Sequence, residues 1–376
     1  MTFSRVPSGA RIDATFVAAI VLLALYMPLS HLAFEASSAW SMSLFSINEV
    51  GQIMSFALLA LALDLVWGYV GMLSLGHGIF FGIGGYMMGM YLLNESYAAT
   101  HVLPDFMQYM GWSAFPSWWL LFSGLGATVL LCLLAAVAVA AVFGFAAFRS
   151  RVNGVYFSII TQALTYALML LLFVNDVGLG GNNGLTGFTR IAGLDLQRPA
   201  TQIGLAVVSC LVLAGAYLVS RFVVSSSLGQ ALVAIRDDEP RMRFLGYRTH
   251  VLKLVAWGLS AALAALAGML YVPQVGIVNP TIVSPTLSIE IAVWVAIGGR
   301  GTLIGAVVGA VLVNALKFWL SAAAPSVWPF LLAGVTLLIT ISMVRGLWGE
   351  ARGLLHHLPS LARAARAPNT EEPGHA

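Results

Sequence analysis

Long apolar runs recur along this 376-residue chain and limit what it can fold into more than any other feature. At ~1.5 Å per residue, about 20 helical residues cross the ~30 Å hydrocarbon core of a bilayer. A segment in lipid must also satisfy its own backbone hydrogen bonds, which favours helices. The sequence therefore predicts an all-α integral membrane protein, a polytopic helical bundle of about ten transmembrane helices. The predicted spans are 14–33, 50–69, 73–93, 118–147, 155–173, 203–223, 254–275, 287–298, 302–320 and 327–344.

The composition excludes most other classes of protein. Hydrophobic residues make up 60% of the chain and charged residues 9%, whereas soluble domains average about 45–50% and about 25%. A soluble globular protein, a disordered chain and a disulfide scaffold are therefore excluded. Cys132 and Cys210 lie inside apolar runs, which favours buried, unpaired thiols. A net charge of +3 gives no support for nucleic-acid binding.

Three of the runs depart from a simple upright span. The first follows Arg5 and Arg11, as in a signal peptide, but it exceeds the usual 7–15 apolar residues, so we expect it to stay uncleaved. The fourth run, 118–147, is long enough to tilt or extend beyond the bilayer. The eighth is short, and residues 298–301 (Gly-Gly-Arg-Gly) separate it from the ninth, which permits a broken or re-entrant element.

The basic residues predict the orientation, because Lys and Arg concentrate in cytoplasmic loops. With the N-terminus inside, 15 of the 18 Lys and Arg residues fall in cytoplasmic segments. We therefore expect a multi-pass protein of the bacterial inner membrane with both termini in the cytoplasm. The predicted parts are an N-terminal segment 1–13, a transmembrane domain 14–344 with a cytoplasmic loop 224–253, and a partly disordered tail 345–376, in which 354–365 is a candidate interfacial helix.

No motif for catalysis within the chain is present. The sequence has neither a phosphate-binding G-x-x-x-x-G-K-S/T nor a zinc-binding H-E-x-x-H motif. His77 is isolated, which favours a packing role over metal ligation. Asp64 and Glu290 lie in no recognisable catalytic context. We therefore predict a protein that is not an enzyme and has no metal site.

Glycine spacing indicates close helix packing. Small residues four apart lie on one helix face and let backbones approach each other in lipid. Direct pore lining is the alternative role. The glycines concerned are Gly78, Gly82, Gly85, Gly89, Gly301, Gly305 and Gly309.

Polar residues inside spans are costly and are functional candidates by default. A structural role, hydrogen-bonded to backbone or polar partners, remains the alternative for Asp64 and Glu290. A Gly- and Asn-rich outer loop, 175–186, adds Asn182 and Asn183, whose amides suit either a turn or a polar solute. The polar residues predicted inside spans are Asp64, Gln162, Tyr166, Gln274, Glu290 and Asn314.

The cytoplasmic loop 224–253 carries a candidate partner-binding helix. Leu232 and Ile235 are spaced to share one helix face, Arg236 to Glu239 are charged, and Pro240 and Gly246 limit the helices. A short amphipathic helix suits a groove on a partner protein. A solvated charged linker is the alternative.

Three segments of the chain have a distinctive sequence: SLGHGIFFGIGGY at 74–86, AIRDDE at 234–239 with Gly246, and GGRGTLIGAVVG at 298–309. Together they resemble the permease subunits of ABC importers for branched-chain amino acids and related solutes, and the resemblance extends from about residue 50 to 345. Three more segments are GVYFSIITQALTY at 154–166, GGNNGLT at 180–186 and YVPQVGIVNP at 271–280. These resemble more specifically the second, M-type permease of the urea branch.

The resemblance implies a division of labour among subunits. A homologous second permease would complete the pathway, two ABC ATPase subunits would use ATP and Mg²⁺, and an extracytoplasmic protein would capture the solute. This chain would itself bind no cofactor. The broader importer consensus has Glu-Ala-Ala followed by Gly, where this chain has Ala-Ile-Arg-Asp-Asp-Glu. The residues implied to couple to the ATPase are Arg236, Asp237, Asp238, Glu239 and Gly246.

Urea is the expected solute, and branched-chain amino acids are the alternative. Urea is neutral and needs hydrogen-bond acceptors along its path rather than a counter-charge. A more distant alternative is an ion-coupled secondary transporter, whose ion site would lie at Asp64 or Glu290. The candidate solute-path residues are Gln162, Tyr166, Asn182, Asn183, Asp64 and Glu290.

Overall fold

A computed structural model describes residues 9–34, 38, 40–109, 111–152, 154–342 and 346–350. These residues form α-helices joined by short turns, with four strands of two residues each. The helices are α1 (Gly9–Ala33), α2 (Leu44–Trp67), α3 (His77–Thr100), α4 (Asp105–Tyr109), α5 (Leu125–Arg149), α6 (Val155–Phe173), α7 (Pro199–Ser225), α8 (Ser227–Phe244), α9 (Thr249–Val275), α10 (Pro285–Gly298), α11 (Leu303–Ala323) and α12 (Trp328–Ser342). The strands are β1 (Leu185–Thr186), β2 (Arg190–Ile191), β3 (Leu194–Asp195) and β4 (Ile277–Val278).

The helical membrane-protein prediction is confirmed, but the number of spans is not. Among the described residues, seven helices are long and apolar enough to cross a membrane: α1, α2, α5, α6, α7, α9 and α11. The other three predicted spans fall on α3, which is less apolar, and on α10 and α12, which have 14 and 15 residues. At ~1.5 Å per residue these two are shorter than the ~30 Å hydrocarbon core. Ten crossings therefore remain a prediction.

The fourth predicted span, 118–147, was wrong as one continuous helix. A 3₁₀ helix occupies Ser117–Phe122, and α5 begins only at Leu125 after the extended residue Gly124. The helix that remains has 25 residues, close to the length one crossing needs. The predicted break between the eighth and ninth spans is confirmed, because α10 ends at Gly298 and α11 starts at Leu303.

The predicted cytoplasmic loop 224–253 is mostly helical. Helix α7 continues to Ser225, α8 fills the centre, and α9 begins at Thr249, so Lys253 belongs to α9. The division into parts stays a prediction: most of 1–13 and of 345–376, including the candidate helix 354–365, lies outside the described residues.

Helices α2 and α9 form the centre of the bundle. Residues 57–66 of α2 are buried without interruption, as expected for a helix that is apolar all round. Helix α9 packs against α2, α3 and α5, while α2 also packs against α7 and α11. By contrast, α5 and α6 expose large apolar side chains such as Val142 and Tyr156, a surface suited to lipid or another apolar partner.

Glycines allow the backbones of α3 and α9 to touch. A Cβ on Gly84 would overlap the carbonyl oxygen of Ala265, and a Cβ on Gly268 would overlap that of Phe81. Neither glycine was among those that spacing in the sequence singled out. Helices α10 and α11 meet in the same manner, where Gly298 faces Gly305 and Gly309.

The glycines predicted to pack lie at several contacts. Those of α3 mostly face residues 278–288: Gly78 lies by Ser288, Gly82 by Val283 and Gly89 by Val278, whereas Gly85 lies nearest to Val272 of α9. Those around α11 differ among themselves. Gly305 and Gly309 face α10, and Gly301 precedes α11 beside the backbone of Gly68.

Buried polar residues match two of the simpler predictions. Cys132 and Cys210 are both free and buried. The His77 side chain is buried and its Nε2 lies 2.7 Å from the Ser260 hydroxyl. Ser260 in turn donates to the Ala62 carbonyl. His77 therefore joins α3 to α9 and α2, a packing role.

We expect Gly84→Ala to destabilise the protein, because the added methyl group must push α3 away from α9. Overpacking of this kind costs about 1–3 kcal/mol or more. The measurement is the thermal unfolding midpoint of the detergent-solubilised protein. Gly204→Ala in α7 is the matched control, since a Cβ there meets nothing within 4 Å. Equal midpoints for the two variants would contradict the proposed close contact.

Candidate functional site

The loop helix α8 consists of two helical pieces joined at a kink. Asp238 has non-helical torsions (φ −155°, ψ 86°), and its carboxylate accepts a hydrogen bond of 3.0 Å from the Arg241 backbone N–H. Asp238 thus caps the second piece, and Pro240 occupies its first turn, where no backbone donor is required. Leu232 and Ile235 are both buried, which confirms their predicted shared face.

Glu239 connects α8 to α9 through a group of three donors. Its Oε1 accepts from Arg243 at 2.6 Å and from the Thr249 hydroxyl at 3.0 Å, and its Oε2 accepts from Lys253 at 2.6 Å. The Lys253 side chain is only 4% exposed. Partial burial opposes ionisation of Glu239, but the bonds from Lys253, Arg243 and Thr249 outweigh it and lower the pKa of Glu239.

Arg236 connects α8 to the end of α2. Its guanidinium donates to the Gly68 carbonyl oxygen at 2.8 Å and to the Asp237 carboxylate at 3.1 Å. Asp64, one turn earlier in α2, is fully buried and accepts a 2.7 Å hydrogen bond from the Gly301 backbone N–H. The start of α11, the end of α2 and α8 are therefore tied together at one end of the bundle.

The opposite ends of these helices carry a small folded cap. Strand β1 pairs antiparallel with β4, with Leu185 opposite Val278. Backbone N–H groups of 189–193 donate to side chains of α3: Thr189 to Ser96, Ala192 to Tyr91 and Gly193 to Glu95. The segment after α6 is thereby fixed over the end of α3.

A cavity of about 290 Å³ lies beneath this cap. One wall is aromatic: the rings of Phe56, Phe81 and Tyr271 have centroids 4.9–6.1 Å apart. The facing wall carries an ion pair, in which Lys317 Nζ lies 3.0 Å from Glu290 Oε2. Concave, mainly apolar sites with a few polar groups are typical of small-ligand binding.

Of the predicted solute-path residues, only Glu290 lines this cavity. Asp64 lies near the other end of α2, in the contact with Gly301. Gln162 is partly exposed and Tyr166 is 51% exposed, because the buried face of α6 is formed instead by residues such as Thr161 and Thr165. Asn182 and Asn183 are exposed in the loop after α6.

The remaining polar residues of the spans have local partners. Gln274 donates to Ser209 at 2.8 Å and to the Leu270 carbonyl at 2.7 Å, so it joins α9 to α7. Asn314 donates to the Ala310 carbonyl of its own helix. Among the described residues, no group of three or more His, Cys, Asp or Glu side chains is arranged to hold a metal ion.

Sequence reasoning missed Lys317 as the partner of Glu290. The two residues are 27 positions apart on consecutive helices, so no short-range spacing connects them. A signal was nonetheless present: each is the single charged residue of its helix, the charges are opposite, and both fall near the outer ends of the predicted spans. Opposite charges at equal depth in neighbouring spans are expected to pair.

Comparison with known proteins now decides the family. Residues 46–341 match the family described as "Branched-chain amino acid transport system / permease component". The chain belongs to this family. The match covers α2 to α11 and most of α12, and therefore includes both the Glu239 group and the cavity.

Two relatives of this permease are named as permease proteins of transport or import systems. It is 28% identical to the high-affinity branched-chain amino acid transport system permease protein LivM of Escherichia coli K12, over 69% of this chain and 60% of that protein. It is 30% identical to the autoinducer 2 import system permease protein LsrC of Yersinia pestis strain Pestoides F, over 57% of this chain and 60% of that protein. The alignments thus span about three fifths of the curated relatives. No solved structure matches the chain.

The prediction of a transporter permease is confirmed at the level of the family. The chain is a membrane permease component, and its relatives are transporter subunits rather than enzymes. The urea branch is not supported by these relatives. The name of LivM agrees with the branched-chain amino acid alternative, whereas the name of LsrC refers to autoinducer 2.

We expect Glu239→Ala to destabilise the permease, because it leaves Lys253 buried without its carboxylate. Removing one partner of a buried ion pair costs about 3–5 kcal/mol, and the 14% exposure of Glu239 places the effect toward the lower value. Thermal unfolding in detergent measures it. Asp237→Ala is the control, since that side chain is 65% exposed; an equal loss in both variants would contradict the role of the Glu239 group.

The same group predicts a pH dependence. Since the folded pKa of Glu239 is below its ordinary value of 4.5, its stabilisation is fully present above that value and is lost as the pH falls through the folded pKa. The difference in unfolding midpoint between wild type and Glu239→Gln should therefore shrink on acidification below about pH 4. A difference that stays constant across that range would contradict this assignment.

Proposed function

We propose that this permease is a transmembrane subunit of an ATP-driven ABC importer of the bacterial inner membrane. It forms the solute pathway together with a homologous second permease, and both of its termini lie in the cytoplasm. Two ATPase subunits bind ATP and Mg²⁺, and an extracytoplasmic binding protein delivers the solute. The observation that carries the proposal is the family match over 46–341. The chain has no nucleotide-binding motif of its own, which assigns hydrolysis to partners.

Branched-chain amino acids are the proposed solute. Support comes from the permease of the branched-chain amino acid system, LivM, which aligns over 69% of this chain. The cavity adds a physical reason, since it combines an aromatic wall with a Glu–Lys pair, and an amino acid combines an apolar side chain with two opposite charges. Urea is the second candidate, because residues 154–166, 180–186 and 271–280 resemble the permease of the urea branch.

Helix α8 and the turn after it are the proposed contact with an ATPase subunit. Phe244 is 90% exposed and Leu245 63% exposed, immediately before Gly246, whose φ of +87° turns the chain toward α9. Exposed aromatic residues on a short helix suit a groove of a partner protein. Arg236 and Glu239 then hold α8 to α2 and α9, so motion of the partner is passed to both helices.

Uptake by the reconstituted importer tests the proposed solute. We expect the complex of this permease, its sister permease, two ATPases and the binding protein to accumulate labelled leucine in proteoliposomes, and unlabelled leucine to compete while urea does not. The reverse competition would establish urea instead. Loss of uptake on adding an uncoupler at constant ATP would contradict ATP coupling and support an ion-coupled carrier.

A second experiment tests the ATPase contact. We expect Phe244→Ser to lower binding-protein-stimulated ATP hydrolysis and uptake about tenfold, the loss produced by removing about 1.4 kcal/mol of contact energy. Solute capture by the binding protein should not change. Phe45→Ser is the matched control, because Phe45 is 73% exposed at the far end of α2. Unaltered hydrolysis in the Phe244→Ser complex would contradict the coupling role.

A further inference from the structure

The Glu290–Lys317 ion pair lines the cavity beneath the cap, which is an unusual position for a purely structural contact. Both partners are on helices that line the cavity, and both remain accessible, with Lys317 33% and Glu290 35% exposed. The Glu239–Lys253 pair at the other end of the bundle is different, because its side chains are only 14% and 4% exposed. In a partly exposed ion pair, each side chain can exchange its partner for a ligand, whereas a ligand cannot reach a buried pair.

We propose that Glu290 and Lys317 form a charge-exchange site for a zwitterionic amino acid. The ammonium group of the solute binds Glu290, and its carboxylate binds Lys317. The inference rests on the proposed function and deepens it, since it names the residues of this permease that select the chemical class of the solute.

Charge balance makes such an exchange inexpensive. Charges without partners are costly in a low-dielectric site, and removing one partner of a pair leaves the other uncompensated. Glu290 and Lys317 give the site one negative and one positive side chain, so their charges cancel. When a zwitterion inserts, one ion pair becomes two and the site stays neutral, so no charge is left without a partner at either stage.

Part of the cavity suits a branched apolar side chain, although Asn279, Thr281, Ser284 and Thr286 also line it. The rings of Phe56, Phe81 and Tyr271 lie on the side facing α2, α3 and α9, and Ile282 and Leu287 contribute aliphatic surface. The volume of about 290 Å³ lies just below the usual range of ligand sites, about 300–1,000 Å³. A volume of this size suits a single amino acid.

Neutral solutes cannot take part in this exchange. Urea has hydrogen-bonding groups but no full charge, so it has no means of replacing either partner of the Lys317–Glu290 pair. The site therefore discriminates by charge arrangement, and removing either charge should lower leucine transport specifically.

Leucine transported per ATP hydrolysed is the decisive measurement. We expect Lys317→Met and Glu290→Gln, each in the full reconstituted complex with binding protein, to lower this ratio about tenfold. Stimulated ATP hydrolysis itself should persist, because solute that is delivered but not retained is lost while the cycle continues. A structural defect would instead lower hydrolysis and uptake together. Asp105→Asn, an exposed carboxylate outside the cavity, is the control and should keep the wild-type ratio.

The exchanged pair Glu290→Lys with Lys317→Glu separates binding from packing. It retains a neutral ion pair but reverses its direction relative to the aromatic wall, so we expect assembly to be normal and the ratio to stay low. If size-exclusion chromatography shows that the single variants do not assemble, the exchanged variant tests the charge-exchange site in their place. A wild-type ratio in the exchanged variant, or in both single variants, would overturn the inference.

The failure of the inference is distinguishable from the failure of the proposed function. If the wild-type complex does not take up leucine, the proposed solute is wrong and the charge-exchange site falls with it. If the wild type takes up leucine and the variants behave like it, only the charge-exchange site is wrong.

Discussion

The structure depends on one constraint: polar groups within the bilayer must find their partners inside the protein. Close helix contact is one way to meet it, and glycine makes that contact possible where α3 meets α9 and where α10 meets α11. Side chains supply the rest. Ser260 joins three helices through His77 and the Ala62 carbonyl, and Asp64 receives the Gly301 N–H. Both arrangements reduce the freedom of α2, which is buried at the centre.

The two ends of the bundle use charge differently. At the α8 end, Glu239 has three donors and Lys253 is nearly inaccessible, which makes a fixed joint between helices. At the capped end, Glu290 and Lys317 lie at the edge of a cavity and remain accessible. Under the proposed function, the buried pair transmits force from the ATPase subunit and the accessible pair contacts the solute.

Much of the fold was predictable because apolar length is a local property of the sequence. The positions of the long helices, the break after Gly298 and the shared face of Leu232 and Ile235 followed from it. The split before Leu125 did not, because apolar residues continue through the 3₁₀ turn that interrupts the helix. The site was harder to predict. Depth alone singled out both Asp64 and Glu290, but pairing with Lys317 and the aromatic wall arise only from tertiary contact.

Helix α9 connects the two ends directly. Lys253 lies in its first turns and Tyr271 near its last, about 27 Å apart along the axis at ~1.5 Å per residue. Glu239 contacts the first turns of this helix, and Tyr271 near its other end lines the cavity. A tilt of about 5° about Lys253 would move Tyr271 by about 2 Å, comparable to the radius of a methyl group. Under the proposed function, a change in the tilt of α9 at the Glu239 contact therefore alters the width of the cavity beside Tyr271.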